Sequence, residues 1–309
     1  MEWLNKFFEE RDNFPRPVWE DIYKYVDENY KESKNSEVNE LWCEIVRCWM
    51  NKIVSSQLSD KYLIHESESF ILVTSEDDNY VQIFLGFLER TLGRILNSLQ
   101  GIASGAGLGK HLVLMFDDID LYYSYLSYFY PENGEYSLSS GVYLNDGYGH
   151  FAFPCQELIY AESIAAHEMT HALVSHLPIP AWLNEGLAVN IENTITGSYP
   201  FAMDNEMYSR HKLFWGEEEI QKFWAGDIFH EVGEGNELAY YLAQYVVRSL
   251  SNDYGSFKAF VNKANYADGG ELAAIEVYGG SLGEIIGQYF GEGRWSPAPD
   301  VWEKLRSNK

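Results

Sequence analysis

The chain has 309 residues, 46% of them hydrophobic and 16% aromatic, which is enough apolar material for a large core and argues against disorder. Its 22 Lys+Arg stand against 47 Asp+Glu, a net charge of −25 that repels phosphate backbones and anionic lipid, so neither nucleic acid nor a membrane is expected as a partner. Only three cysteines occur, none in C-x-x-C spacing, which excludes a disulfide or thiolate-zinc framework and favours a reducing compartment. The first residues are acidic and lack the basic region and apolar stretch of a secretory signal. No apolar run reaches the roughly 18 residues of a spanning helix, so the expected location is the cytoplasm.

Trp, Ile, Tyr and Val recur at helical spacing among acidic residues from Pro17 to Tyr30 and from Glu37 to Gln57. Two amphipathic helices are predicted there, with Asn35-Ser36 as a cap between them. At Tyr62 the texture changes to short β-branched or aromatic runs, Tyr62 to His65 and Phe70 to Thr74, which predict strands and place a boundary near Ser59. Helical spacing returns from Val81 to Leu99, followed by a glycine-rich break, Gly101 to Lys110, and a strand, His111 to Phe116. That break is no phosphate-binding loop, because Ser104 and His111 stand where such a loop needs Gly and then Ser or Thr. A tyrosine-rich helix is predicted from Leu121 to Tyr130, and strands from Ser137 to Leu144 and Phe151 to Phe153 around the turn Asn145 to Gly149. Beyond Glu162 the pattern is helical, near 162–176, 181–193, 237–250, 255–264 and 281–290, with no internal repeat.

His167-Glu168-Met169-Thr170-His171 is an H-E-x-x-H motif inside an apolar-periodic run containing Ile164, Ala165, Leu173 and Val174. On a helix, residues four apart sit nearly one above the other, so both imidazoles can converge on one Zn²⁺. Glu168, one residue round from His167, can reach a water on that ion without binding the metal. A third ligand is needed, and Glu185, in Trp182-Leu183-Asn184-Glu185-Gly186, is the candidate. Pro178 and Pro180 end the first helix and the chain must then reverse, while Gly186 leaves space beside the ligand. The long metzincin motif would need His at 177 and Gly at 174, where Leu177 and Val174 stand. His176, about 140° round the helix from His171, suits a helix-end cation better than a ligand.

The two motifs together, His167 to His171 and Pro180 to Ala188, resemble the gluzincins, specifically the peptidase MA-like group related to thermolysin and aminopeptidase N. The likeness extends loosely from about Tyr62 to Leu282. It implies an α+β, thermolysin-like zincin: a small mixed sheet over an active-site helix, spanning 59–160, and a helical lower lobe, 161–309, with 1–58 as an N-terminal helical extension. It also implies zinc as cofactor, a peptide or protein substrate laid along an edge strand, for which Ser139 to Tyr143 is the candidate, and Tyr240 as oxyanion stabiliser. One departure is Val189, which stands where thermolysin-like enzymes carry an acid that orients a histidine ligand. Glu162, Asn190, Glu192 or a backbone carbonyl could replace it. The function expected is zinc-dependent peptide hydrolysis with Glu168 as general base and acid; the alternative is a regulatory peptide-binding module that keeps the scaffold without turnover. His65, His111, His150, His211 and His230 are isolated and suit packing or surface roles, with His230 closest to the Tyr240 segment.

Overall fold

A computed structural model describes residues 2–11, 14–130, 140–197 and 204–307. The chain is mixed α+β and mostly helical, with a five-stranded and a two-stranded sheet. Two compact units form, one of Met1–Arg94 with Gly105–Ala172, the other of Ile95–Ser104 with Leu173–Lys309. Among the described residues, no helix is long and apolar enough to cross a membrane.

In the first unit a 3-10 turn, Glu2–Phe7, leads into an antiparallel hairpin of β1 (Phe8–Arg11) and β2 (Phe14–Pro17). Then follow α1 (Trp19–Tyr30), α2 (Asn35–Ser56), β3 (Leu63–Glu66), β4 (Phe70–Thr74), α3 (Asp78–Ser98), β5 (His111–Phe116), α4 (Ile119–Leu126), β6 (Val142–Leu144), β7 (His150–Pro154) and α5 (Leu158–Val174). The large sheet has the order β3-β4-β5-β7-β6, with β4, β5 and β7 parallel and the two edge strands antiparallel to their neighbours. Phe70 to Val73 and Leu112 to Phe116 are buried without alternation, as parallel strands covered on both faces must be. Ile71, Val73, Leu112, Leu114 and Ala152 share one core with Trp42, Ile45, Trp49 and Ile53 of α2. The helices before Ser59 therefore complete the core beneath the sheet. Phe153 projects from the opposite face, towards Ile164 of α5.

Several boundaries differ from expectation for local reasons. Pro17 does not open α1 because it pairs with Phe8 in the hairpin. Lys34, rather than Asn35-Ser36, occupies the N-cap of α2. Asp118 starts α4 two residues early by accepting from the Asp120 and Leu121 amides, and that helix stops at Leu126. Of the strand predicted from Ser137 to Leu144, Ser137 to Ser139 lie outside the described residues and Val142–Leu144 forms β6.

His150 is fully buried at the start of β7, its Nδ1 2.8 Å from the Tyr148 carbonyl and its Nε2 2.7 Å from the Tyr125 hydroxyl. A carbonyl only accepts, so Nδ1 carries the proton and Nε2 accepts from the tyrosine. Burial, opposed by the Tyr148 carbonyl and reinforced by Arg16, pushes the pKa down to about 4. Between that value and the ordinary 6.5 the unfolded chain binds a proton that the folded chain refuses, so this contribution is full above pH 6.5 and is lost as pH falls towards 4. The unfolding free energy of the wild type relative to His150→Gln should shrink by about 2 kcal/mol between pH 7.5 and pH 5. Urea titrations at the two pH values measure it, and an unchanged difference would mean that the imidazole titrates normally.

The second unit is helical: α6 (Ala181–Thr196), α7 (Asn205–Phe214), α8 (Glu217–Ala225), a 3-10 turn (Asp227–His230), α9 (Glu234–Leu250), α10 (Tyr254–Val261), α11 (Glu271–Tyr278), α12 (Leu282–Phe290) and α13 (Pro299–Ser307). Helices α7, α8, α11 and α13 go beyond the predicted segments. In α11 the buried residues are Ala273 and Ala274 while Leu272 and Ile275 are exposed, so its apolar pattern points away from its core.

Helices α6 and α9 cross at Gly186, where an added Cβ would lie 2.6 Å from both the Ala243 carbonyl oxygen and Val247 Cγ2. This close approach, rather than room beside Glu185, is what the glycine provides. In Gly186→Ala the gain in helix propensity, about 1 kcal/mol, is outweighed because the obstructing atom is backbone and cannot rotate aside. A net loss of about 2 kcal/mol is expected in urea unfolding, and a stabilised variant would show that the crossing relaxes freely.

Candidate metal centre

Helix α5 is anchored by Ala161, Ala165, Ala166, Met169 and Leu173, all buried, and by the buried Thr170, whose hydroxyl donates to the Ala166 carbonyl at 2.9 Å. With that side of the helix committed to packing, His167, Glu168 and His171 stand on a half-buried side. The two imidazole rings are 4.8 Å apart at 79°, and one donor atom from each of the three residues lies within 4.8 Å of the others. The two imidazole nitrogens are donors that could hold a divalent transition metal such as zinc, with the Glu168 carboxylate beside them.

Glu168 has a partner that side-chain patterns do not encode. The main-chain N–H of Tyr143, in β6, donates to its Oε2 at 2.8 Å. Tyr143 lies opposite Phe151 in the β6–β7 ladder, and its amide turns outward from the sheet edge to the helix. Such closeness of strand and helix depends on Gly141, where a Cβ would stand 2.4 Å from the Phe153 ring and 2.6 Å from Ile164 Cγ2. Of the predicted edge segment, Ser139 is outside the described residues, while Val142 and Tyr143 do occupy an edge strand.

Glu185 and Tyr240 belong to the second unit. The start of α6 is fixed by Pro180 at its N-cap and by Trp182, fully buried, whose indole N–H donates to the Gly269 carbonyl at 2.9 Å. Glu185 follows one turn into α6, half-buried. Tyr240 is half-buried on α9, its ring edge-on to Phe229 with centroids 5.3 Å apart. Asn190 spends its amide hydrogens on the Gly186 and Gln244 carbonyls, at 2.7 and 3.0 Å, which ties α6 to α9.

The remaining histidines divide between packing and surface. His176 is exposed beyond the end of α5, and His230 is exposed at the end of its 3-10 turn. His211 is fully buried, accepts at Nδ1 from the Trp215 indole at 2.8 Å, and is pushed down to about 4 by burial and by Arg210. Burial also lowers the pKa of His111, with Glu89 opposing it.

No protein-family model matches the chain, and a comparison with curated proteins finds no match.

Proposed function

We propose that the protein is a zinc-dependent peptidase of gluzincin type with a thermolysin-like catalytic fold, acting on peptide or protein substrates. The observation that carries this reading is the convergence of His167, Glu168 and His171 on one side of α5. His167 and His171 would hold the ion, with Glu185 as third ligand on the strength of the second motif and the proline-directed reversal before it. Zinc would supply Lewis acidity there and lower the pKa of a water molecule towards about 7.

The chain's own groups do the rest. Glu168 accepts a proton from water as it attacks the scissile carbonyl and returns it to the departing amine, which cleaves the C–N bond with the proton balance closed. Tyr240 donates a hydrogen bond to the oxyanion. The intact carboxylate at 168 favours turnover over a site that only binds metal, since mere binding has no use for a base beside the ligand. Elemental assay of the purified chain, together with peptide cleavage before and after a chelator, tests the proposal. One equivalent of zinc and chelator-sensitive cleavage are expected, and a chain that takes up no added Zn²⁺ would overturn it.

A further inference from the structure

We infer that the main-chain N–H of Tyr143 positions Glu168, and that Gly141 is the residue that makes this contact possible. The inference deepens the peptidase reading and rests on it for its catalytic meaning, though the contact itself does not. Among the described residues β6 is an edge strand, so a main-chain N–H that turns outward from it can bond to something other than a strand. Here it meets Oε2 of Glu168 at 2.8 Å. A carboxylate held at one oxygen has χ angles that are no longer free to swing the group away. The Tyr143 side chain takes no part in the bond; its ring packs against Phe151 across the ladder, with centroids 5.2 Å apart.

Gly141 sets the distance. Any side chain there meets Phe153 on the sheet and Ile164 on α5, one turn before Glu168, so those side chains or the strand itself must shift, and the strand's distance from the helix that carries the base is disturbed. A residue two places from Tyr143, without functional groups of its own, thus governs the geometry of the acid.

Amide hydrogen exchange of the full-length chain tests the contact without any substrate. Exchange at Tyr143 should be slow in the wild type, similar in Glu168→Gln, whose side-chain carbonyl also accepts, and at least about 10-fold faster in Glu168→Ala. Equal rates in the wild type and Glu168→Ala overturn the inference. For the positioning role, Gly141→Ala in the zinc-loaded protein should lower kcat by about 10-fold or more with zinc content retained and KM changed far less. Undiminished kcat in a Gly141→Ala protein whose Tyr143 amide exchanges fast would refute that role. Failure of the peptidase reading would appear in the cleavage assay, and failure of the contact in the exchange rates, so the two are separable.

Discussion

On the proposed peptidase reading, Glu168→Gln is expected to abolish peptide cleavage, by about 10³-fold or more in kcat, while zinc is retained. The substitution is close to isosteric, and the amide carbonyl can still accept from the Tyr143 N–H, so strand and helix stay in register. What disappears is the negative charge and with it the capacity to take a proton from water. General-base assistance contributes on the order of 10²–10⁴ in rate, and one residue serving as base and then acid is exposed to that loss at both steps. Zinc content should be unaffected because the proposed ligands are His167, His171 and Glu185 rather than Glu168. Measured kcat and metal stoichiometry decide between the possible roles of Glu168. Loss of both would make it a ligand, and loss of neither would leave it a bystander.

Long periodic segments were legible in the sequence. Helices α1, α2, α3, α5 and α6 and strands β4 and β5 fall within a few residues of expectation, because each buries a face long enough to impose its own period. The hairpin of β1 and β2 carries no such signal. Pro15 and Pro17 argue against a strand, yet their sheet has only two strands, and the Pro15 carbonyl is satisfied by the Trp49 indole at 3.0 Å. Helix α11 hid because its buried face is alanine and its exposed face is not.

The candidate site divides along the same physical line. The His167 and His171 pair is a statement about side chains on one helix, and i,i+4 spacing fixes their neighbourhood before any tertiary structure is known. The Tyr143 amide is a main-chain donor that every residue but proline possesses, so no residue type announces it. Gly141 was one glycine among 25, with only its contact to Phe153 and Ile164 to single it out. Gly186 drew attention through its place beside Glu185, but its reason lies on α9, far along the chain.

His167→Ala and His171→Ala should each cost about 10²- to 10³-fold in zinc affinity. Zinc held by a full set of four protein ligands is worth roughly 10–16 kcal/mol, so a single ligand carries about 3 kcal/mol. If zinc binds the folded chain in preference to the unfolded one, as proposed, the same loss must appear in stability. A hundredfold excess of free zinc over Kd stabilises the wild type by about 2.7 kcal/mol, which raises Tm by a few degrees in a chain of this size. Neither alanine variant should show that rise at the same zinc concentration. Glu185→Ala provides the decisive contrast: a third ligand must remove the zinc-dependent rise as completely as either histidine, whereas a carboxylate that is only part of α6 leaves it intact. Calorimetric scans of the four proteins with and without zinc at pH 7.5 measure every term. A wild type whose Tm ignores zinc would remove the metal, and with it the chemistry assigned to α5.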